Sequence, residues 1–289
     1  AQWHPDLRHR SAGRNGKPSG RACGTVSQQD FPSPGGLFTP LSPLLEQIPF
    51  APDLAALAVL SSTHRVQTRS GRRVSFLPPA TDGLDYETRI WTRGEVATRP
   101  DNWHDFFNAL VWLTFPHAKA VLNARHVEAL AAAATPSGLG RGHDRDAMTH
   151  FDECGVIVVA SDPSLLALLR GFQWQELFWE RRPDLGRSLR CFVFGHATYE
   201  QLLQPFHGLT AKGVLYEATE DWLRRPLAAQ LTDLDQRLSS ELAAGDHRDP
   251  RAFHPLPLLG LPGVTPDSEN PAYYADRWQF RPGRSRRGV

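Results

Sequence analysis

Apolar side chains recur at helical spacing in two consecutive segments that begin near Asn102. The first stripe consists of Trp103, Phe106, Phe107, Leu110 and Leu113. Asp101 or Asn102 is positioned to cap this helix, and Pro116 ends it because proline lacks an amide donor and restricts the preceding residue. Helical spacing resumes over residues 117–134. The pattern therefore predicts an αα-hairpin.

Three apolar runs further along the chain show little alternation with polar residues, which is typical of strands covered on both faces. These runs are residues 155–160, 189–194 and 213–218. Helical segments are predicted around them at residues 163–170, 172–181 and 197–203. The order strand–helix–strand–helix–strand predicts an α/β fold with a partly parallel sheet flanked by helices.

Weaker patterns complete the predicted elements. Further helices are predicted at residues 52–60 and 226–244, and extended segments at residues 74–79 and 86–91. The leucines of residues 226–244 form a stripe that could face the core or a second copy of the chain. The core is favoured, because too few regular heptads are present for a coiled-coil dimer. The proline-rich residues 255–263 are expected to run extended over the surface, since proline does not enter a regular helix or a central strand.

Composition divides the chain into three regions. Residues 1–30 are rich in Arg, Gly and Ser and poor in apolar residues, which predicts a disordered basic arm. Residues 31–282 form the predicted single α/β domain, and residues 283–289 form a basic tail. The fold class expected from the whole pattern is therefore one α/β domain with an αα-hairpin and disordered termini.

Charge and apolar content exclude several classes of protein. The 289-residue chain has 32 basic and 31 acidic side chains, so nucleic-acid binding cannot be argued from its net charge of +1. No apolar run approaches the roughly 18 residues that a membrane-spanning helix needs. Three cysteines do not suggest a disulfide framework. We expect a soluble, cytoplasmic protein without a membrane or nucleic-acid partner, and the sequence leaves its oligomeric state open.

Several linked motifs occur in order between Phe38 and Arg284. They are residues 102–112 (NWHDFFNALVW), 149–158 (THFDECGVIV), 194–200 (FGHATYE), 208–213 (GLTAKG) and 255–263 (PLPLLGLPG). Through these motifs the chain resembles a bacterial family, the domain of unknown function 3025 family. The resemblance implies a bacterial, soluble protein, and it implies no activity and no catalytic position. Function must therefore be argued from the residues themselves.

Six polar residues lie within the two predicted helices. His, Asp and Asn are poor choices for a helix interior, and the lysine lies in one stripe with an asparagine and a histidine. The six residues are His104, Asp105, Asn108, Lys119, Asn123 and His126. If the hairpin folds back at Pro116, Asn108 approaches Asn123 and His104 approaches His126. Such a cluster could hold a divalent metal with an activated water, or form a general base from a His–Asp pair. The alternative is a structural network whose members only satisfy one another.

Two further candidates lie near the predicted strands. Asp152 and Glu153, preceded by Asp146 and His150, offer metal-type ligands on a segment expected to be extended. His196 follows a buried strand at its carboxyl end, where open α/β sheets bind ligands, and Glu200 one helical turn later could orient its imidazole. Each also has a structural interpretation: strand-edge acids in the first case, a helix-cap residue with a solvated glutamate in the second.

These residues favour a hydrolase, with or without a metal, that acts on an anionic or phosphorylated substrate. In this hypothesis His104, Asp105, His196 and Glu200 are catalytic, while His126, Asp152 and Glu153 are candidate metal ligands. Arg99 and Lys212 would contact the anion. The alternative is a non-catalytic protein whose polar cleft binds a small ligand or a partner. The sequence has no phosphate-binding loop and no Cys-x-x-Cys pair, so no motif decides between the two.

Overall fold

A mixed sheet with helices packed around it forms the framework of this computed structural model, which describes residues 36–133 and 142–283. The strands are β1 (Ser75–Leu77), β2 (Glu95–Ala97), β3 (Gly155–Ala160), β4 (Leu189–Val193), β5 (Thr210–Glu217) and β6 (His254–Pro257). The helices are α1 (Ser42–Leu45), α2 (Leu54–His64), α3 (Tyr86–Arg93), α4 (Trp103–Thr114), α5 (Pro116–Ala133), α6 (Gly142–Cys154), α7 (Pro163–Arg170), α8 (Arg182–Ser188), α9 (His196–Leu203), α10 (Glu220–Leu223) and α11 (Leu227–Ala244). The predicted arm (1–30) and the predicted tail, apart from Gly283, lie outside the described residues.

Four strands pair in the order β4-β3-β5-β6. β3 runs parallel to β5, while β4 is antiparallel to β3 and β6 is antiparallel to β5. All six residues of β3 are buried, as its continuous apolar sequence predicts. β1 and β2 form a separate parallel pair. The prediction of a single α/β domain with a partly parallel sheet is confirmed.

The αα-hairpin is formed by α4 and α5. Asn102 caps α4, because its side chain accepts a hydrogen bond from the amide of Asp105 at 3.0 Å. Pro116 is the first residue of α5, a position where the missing amide of proline is not needed. Among the described residues, no helix combines the length and apolar character needed to cross a membrane.

Two segments that we predicted to be extended are helical. Residues 86–91 belong to α3, because the Asp85 side chain caps the amide of Thr88 at 3.0 Å and Gly94 ends the helix in a left-handed conformation. Residues 146–153 belong to α6, which continues to Cys154 immediately before β3. Asp152 and Glu153 therefore project from the last turn of a helix rather than from alternating faces of a strand.

The prediction for the proline-rich segment is wrong in part. Residues 254–257 form β6 at the edge of the sheet. An edge strand pairs on one side only, so the missing amides of its prolines are tolerated there. Leu256 and Leu258 are fully buried, so the segment closes the core instead of running over its surface. The helix predicted at 172–181 is a short helical segment that contains a π-helical turn at Glu176–Glu180.

One carboxylate from α11 connects this helix to the hairpin. Asp235, which is 3% exposed, accepts hydrogen bonds from the amides of His117 and Ala118 at 3.0 and 2.8 Å. The ring of His117 lies 2.7 Å from the same carboxylate. Burial raises the pKa of Asp235 despite these bonds. A residue distant in sequence thus caps α5, where helix amides otherwise lack partners.

We expect Asp235→Ala to lower the free energy of unfolding by about 3 kcal/mol, because it leaves the amides of His117 and Ala118 without an acceptor, the second of them buried. Asp235→Asn keeps one acceptor and removes a buried charge, so its loss should be smaller. Asp53→Ala is the matched control, since Asp53 is an exposed cap that accepts one amide hydrogen bond, from Ala55; its cost should be about 1 kcal/mol. Urea denaturation measures all three, and equal losses for Asp53→Ala and Asp235→Ala would contradict the argument.

Candidate functional site

Two imidazoles and one carboxylate meet at the ends of three helices. His104 lies in the first turn of α4, Glu153 in the last turn of α6, and His196 is the first residue of α9. Glu153 Oε2 lies 3.3 Å from His104 Nε2 and 3.4 Å from His196 Nε2. The two imidazole rings are 4.5 Å apart and nearly perpendicular. One ligand atom from each residue lies within 4.8 Å of the other two, a spacing that could surround a metal ion.

A glycine permits this approach. The amides of Phe194 and Gly195 both donate to the carbonyl of Gly155, at 2.9 and 2.8 Å. A Cβ atom on Gly195 would lie 2.4 Å from the amide nitrogen of Gly155 and 2.4 Å from the carbonyl oxygen of Glu153. Only glycine fits at such separations. The junction between β4 and α9 can therefore lie directly against the junction between α6 and β3.

The outer nitrogen of His104 faces a second carboxylate. His104 Nδ1 lies 3.2 Å from Asp105 Oδ1. Arg99 donates to both oxygens of Asp105 from its guanidinium at 2.8 Å and again from its backbone amide at 2.8 Å. Burial opposes the charge of Asp105, but these bonds from Arg99 lower its pKa to about 2. Asp105 is therefore an ionised group held in place behind His104.

His196 has the same arrangement on its inner side. Its Nδ1 lies 3.9 Å from Asp152 Oδ2, and Lys119 Nζ donates to Asp152 Oδ1 at 2.6 Å. Burial opposes ionisation of Asp152, yet the attraction of Lys119 holds its pKa below the ordinary value. His196 Nδ1 is buried and has no hydrogen-bond partner among the described residues. Each imidazole thus points Nε2 at Glu153 and Nδ1 at an aspartate that a cation neutralises.

The two imidazoles differ in electrostatics. Burial lowers the pKa of His196 to about 4, so its ring is neutral near neutral pH. The hydrogen bond with Glu153 raises the pKa of His104, and the same bond lowers the pKa of Glu153. His196 and Glu153 therefore have the protonation states that metal ligands require, whereas the raised pKa of His104 opposes the loss of the proton that metal binding requires.

A polar chain continues from Lys119 to Tyr86, which is partly exposed on α3. The Lys119 ammonium, on a side chain that is 4% exposed, also donates to Asn108 Oδ1 at 2.9 Å, and Asn108 Nδ2 donates to the hydroxyl of Tyr86 at 2.8 Å. Beside this chain, Asn123 Nδ2 donates to Glu87 Oε2 at 2.7 Å. Burial raises the pKa of Glu87 to about 7. Asn108, Lys119 and Asn123 therefore support the site from behind and do not face a ligand directly.

The remaining candidate residues lie around the cluster or apart from it. His126 is buried on α5, where burial lowers its pKa, and it interacts electrostatically with Asp152 and Lys119. Glu200 is exposed on α9 and acts electrostatically on His104 and Arg99. Lys212 lies on β5 opposite Gly155, and its charge acts on the Cys154 thiol.

The predicted pairings within the hairpin are wrong. Asn108 bonds to Lys119 rather than to Asn123, and His104 contacts His196 edge-on, with ring centres 4.5 Å apart. The reason is that α4 packs on α9, where Phe107 and Tyr199 stack with ring centres 5.6 Å apart. Among the described acidic residues, Asp152 and Glu153 lie within 4 Å of His196, so they take the position predicted for Glu200.

Sequence reasoning missed Tyr86 and Glu87. Both lie on α3, a segment that we predicted to be extended. The available signal was Asp85, a preferred helix cap followed by a helix that ends at Gly94. That signal indicates a helix with Tyr86 and Glu87 in its first turn.

We expect Glu87 to make stability pH-dependent. Its folded pKa of about 7 is above its unfolded value, so the folded state binds the proton more strongly and loses stability as pH rises from about 4.5 to about 7. In Glu87→Gln, which keeps an acceptor for Asn123, this loss should disappear. Chemical denaturation of both proteins at about pH 5 and about pH 8 measures the difference. Parallel pH dependence of the two unfolding free energies would contradict the assignment.

Comparison with protein-family models identifies the family of the chain. No curated protein and no solved structure is significantly similar to the chain. A family model described as "Protein of unknown function (DUF3025)" matches residues 75–284, which is well over half of the chain and contains the whole His104–Glu153–His196 cluster. The resemblance inferred from the linked motifs is confirmed: this chain belongs to the DUF3025 family of proteins of unknown function.

Proposed function

We propose that this protein is a metal-dependent hydrolase in which His104, Glu153 and His196 hold one divalent ion and which acts on an anionic or phosphorylated substrate. The observation that carries the proposal is the convergence of these three ligand atoms within 4.8 Å of one another. Two imidazoles and one carboxylate are a common ligand set of catalytic zinc sites and of other open metal sites. The bacterial, cytoplasmic setting expected from the sequence belongs to this proposal.

Exposure of the ligands supports a catalytic rather than a closed structural site. The His196 side chain is 4% exposed, whereas His104 and Glu153 are 32% and 37% exposed. A metal ion at this position would be anchored on its inner side and open toward solvent on the other. Three protein ligands leave a coordination position for water, and a metal ion lowers the pKa of bound water toward neutrality.

The carboxylates behind each imidazole support metal binding independently. A ligating histidine usually directs its second nitrogen to a carboxylate, which fixes the tautomer and the ring orientation. Asp105 stands 3.2 Å from His104 Nδ1, and Asp152 stands 3.9 Å from His196 Nδ1. The first of these pairs is within hydrogen-bonding distance, and in the second the aspartate faces the nitrogen from just beyond that distance.

Charge favours an anionic substrate only when the ion is bound. Glu153 and Glu200 add two carboxylates to the aspartates that Arg99 and Lys119 neutralise, and the field of these two glutamates repels an anion. A divalent ion offsets this field at the point where a substrate oxygen would bind. Arg99, whose side chain is 57% exposed, borders the same opening and supplies an anion contact. Glu200 is the carboxylate available to exchange protons with bound water.

The alternative is a non-catalytic protein whose polar cleft binds a ligand or a partner. The inner part of the cluster favours it, because Tyr86, Asn108, Lys119 and Asp152 satisfy one another without an added group. The outer part favours the hydrolase, because His104, Glu153 and His196 each bring one ligand atom within 4.8 Å of the other two. Metal binding and turnover separate the two functions experimentally.

Purified protein equilibrated with Zn²⁺ should retain about one ion per chain after removal of the excess, as a three-ligand site predicts. His104→Ala, Glu153→Gln and His196→Ala should each lose it, because each removes one ligand. His207→Ala is the matched control, since His207 forms a pair with Asp276 at 2.6 Å outside the cluster. Elemental analysis of the folded proteins is the measurement. Retention of the ion in Glu153→Gln, or its loss in His207→Ala, would contradict the site.

Asp105→Asn should weaken Zn²⁺ affinity about 10- to 100-fold while it leaves the ion stoichiometric at saturation, because Asp105 orients a ligand without touching the ion. Asp276→Asn, which alters the control pair, should leave the affinity unchanged. Competition with a zinc-binding dye measures both dissociation constants. Unchanged affinity in Asp105→Asn would show that the carboxylate does not orient His104.

The metal-loaded protein should hydrolyse p-nitrophenyl phosphate or its diester, and Glu153→Gln should reduce kcat/KM by about 100-fold or more, because it removes a ligand of the ion that activates water. Arg99→Gln should raise KM more than it lowers kcat, since Arg99 binds the anion. Arg93→Gln, another arginine paired with an acid, is the control. Stoichiometric Zn²⁺ without turnover of phosphate or carboxylate esters would reject the hydrolase in favour of the binding protein.

A further inference from the structure

A second site lies at the opposite end of β4 from His196. A cavity of about 540 Å³ opens beside residues 189–192, at the start of the strand. The strand contributes five residues before the chain reaches Gly195 and His196, so at about 3.3 Å per residue the two sites are roughly 15 to 20 Å apart. The volume falls in the range of sites for small organic molecules.

The cavity is apolar and lacks acidic groups. Its apolar lining residues are Leu37, Leu185, Leu189, Cys191, Phe192, Leu223, Leu227, Leu261 and Pro262. Its charged lining residues are Arg182, Arg190 and Arg225, and none of the residues that line it is an aspartate or a glutamate. Burial raises the pKa of the Cys191 thiol to about 12, so this wall is uncharged as well. An apolar interior with a purely cationic rim suits a molecule that is apolar along its length and anionic at one end.

Two of the three guanidinium groups have no carboxylate partner among the described residues. Arg182 is paired with Glu269. Arg190 donates only to the carbonyls of Gly186 and Leu189, at 2.7 and 2.9 Å. No ion pair forms on the exposed side chain of Arg225 within the described part of the chain. Arg190 and Arg225 therefore keep their positive charge available to a ligand.

The strand edge adds an unused backbone donor. The bonds from Ser161 to Ser188 and from Phe194 to Gly155 show that even-numbered residues of β4 face β3, so odd-numbered residues face outward. Among these, Leu189 O accepts from Arg190, and Val193 O accepts from Tyr199. The amide of Cys191 points to the same edge and has no partner among the described residues. It could donate to a ligand oxygen beside Arg190.

We propose that this cavity binds an amphipathic carboxylate, with an unbranched acyl chain against the leucine-lined wall and the carboxylate at Arg190 and Arg225. Guanidinium groups bind carboxylates through paired, charge-assisted hydrogen bonds, and the apolar wall removes methylene groups from water. The site is independent of the proposed metal centre, because it shares no residue with it. The proposal therefore stands whether or not the protein is a hydrolase.

Isothermal titration with saturated carboxylates of about six to twelve carbons tests the proposal. Affinity should increase about fourfold for each added methylene until the cavity is filled. The primary alcohol of the same length should bind at least tenfold more weakly, because it cannot pair with the guanidinium groups. Equal binding of acid and alcohol would overturn the anionic part of the site, and no binding of any carboxylate would overturn the whole.

Three variants locate the site. Arg190→Gln and Arg225→Gln should each weaken carboxylate binding about tenfold. Gly186→Leu should weaken it, because Gly186 lines the cavity and no atom lies within 4 Å of an added Cβ, so a larger side chain adds bulk beside the cavity without a clash. Arg187→Gln is the matched control, since Arg187 is paired with Asp184 and does not line this cavity.

Thermal unfolding of Gly186→Leu confirms that the variant is folded, and unchanged carboxylate binding by the folded variant would overturn the proposal. Loss of binding in Arg187→Gln would do the same, because it would show a general response to surface charge. Sedimentation that shows a dimer excluding the carboxylate would assign the cavity to a second copy of the chain and would also reject the proposal.

Discussion

The hydrogen bond from the amide of Gly195 to the carbonyl of Gly155 determines where the candidate ligands lie. It joins the beginning of β3 to the chain just after β4. Glu153 lies two residues before Gly155, and His196 directly follows Gly195. Antiparallel pairing of β3 and β4 places the two junctions at the same end of the sheet. Because glycine occupies the closest contact, the end of α6 and the start of α9 can lie against each other. The packing of α4 on α9 then brings His104 to this position.

Burial of Lys119 is the second constraint. A buried ammonium is unfavourable unless charged or polar groups surround it. Lys119 has Asp152 and Asn108 as hydrogen-bond partners and lies 5.5 Å from the ring centre of Trp112. These contacts hold the Asp152 carboxylate at a fixed distance from His196. The same side chains therefore compensate charge in the interior and face the buried His196 imidazole.

Much of the fold follows from local pattern. The continuous apolar runs predict β3, β4 and β5, and the stripe with Pro116 predicts the hairpin, because these signals depend on neighbouring residues alone. The residue types of the site were also found from the sequence: His104, Asp105, Asp152, Glu153 and His196. Their grouping was only partly predictable. Which histidine meets His104 depends on how α4 packs against α9, and no local signal contains that information.

The segments around Asp85 and Asp152 show why other predictions failed. Aromatic and β-branched residues in 86–91 favour a strand by propensity, but the Asp85 cap and the Gly94 stop outweigh that preference in α3. In the second case, the acids ahead of β3 were assigned to an extended segment because a strand follows at once. The helix α6 runs directly into β3 without a loop, so no turn residues mark the boundary.

The three candidate ligands come from segments far apart in the chain, and this has a consequence for folding. An ion bound by them would tie the αα-hairpin to both junctions of the sheet, and it would do so only after all three had assembled. Such an ion acts as a crosslink that forms late, because the unfolded chain holds these side chains too far apart to share it. Its binding free energy would be added to the stability of the native state alone. Loss of the ion would then lower resistance to unfolding and proteolysis across the whole domain, far beyond the few residues in contact with it.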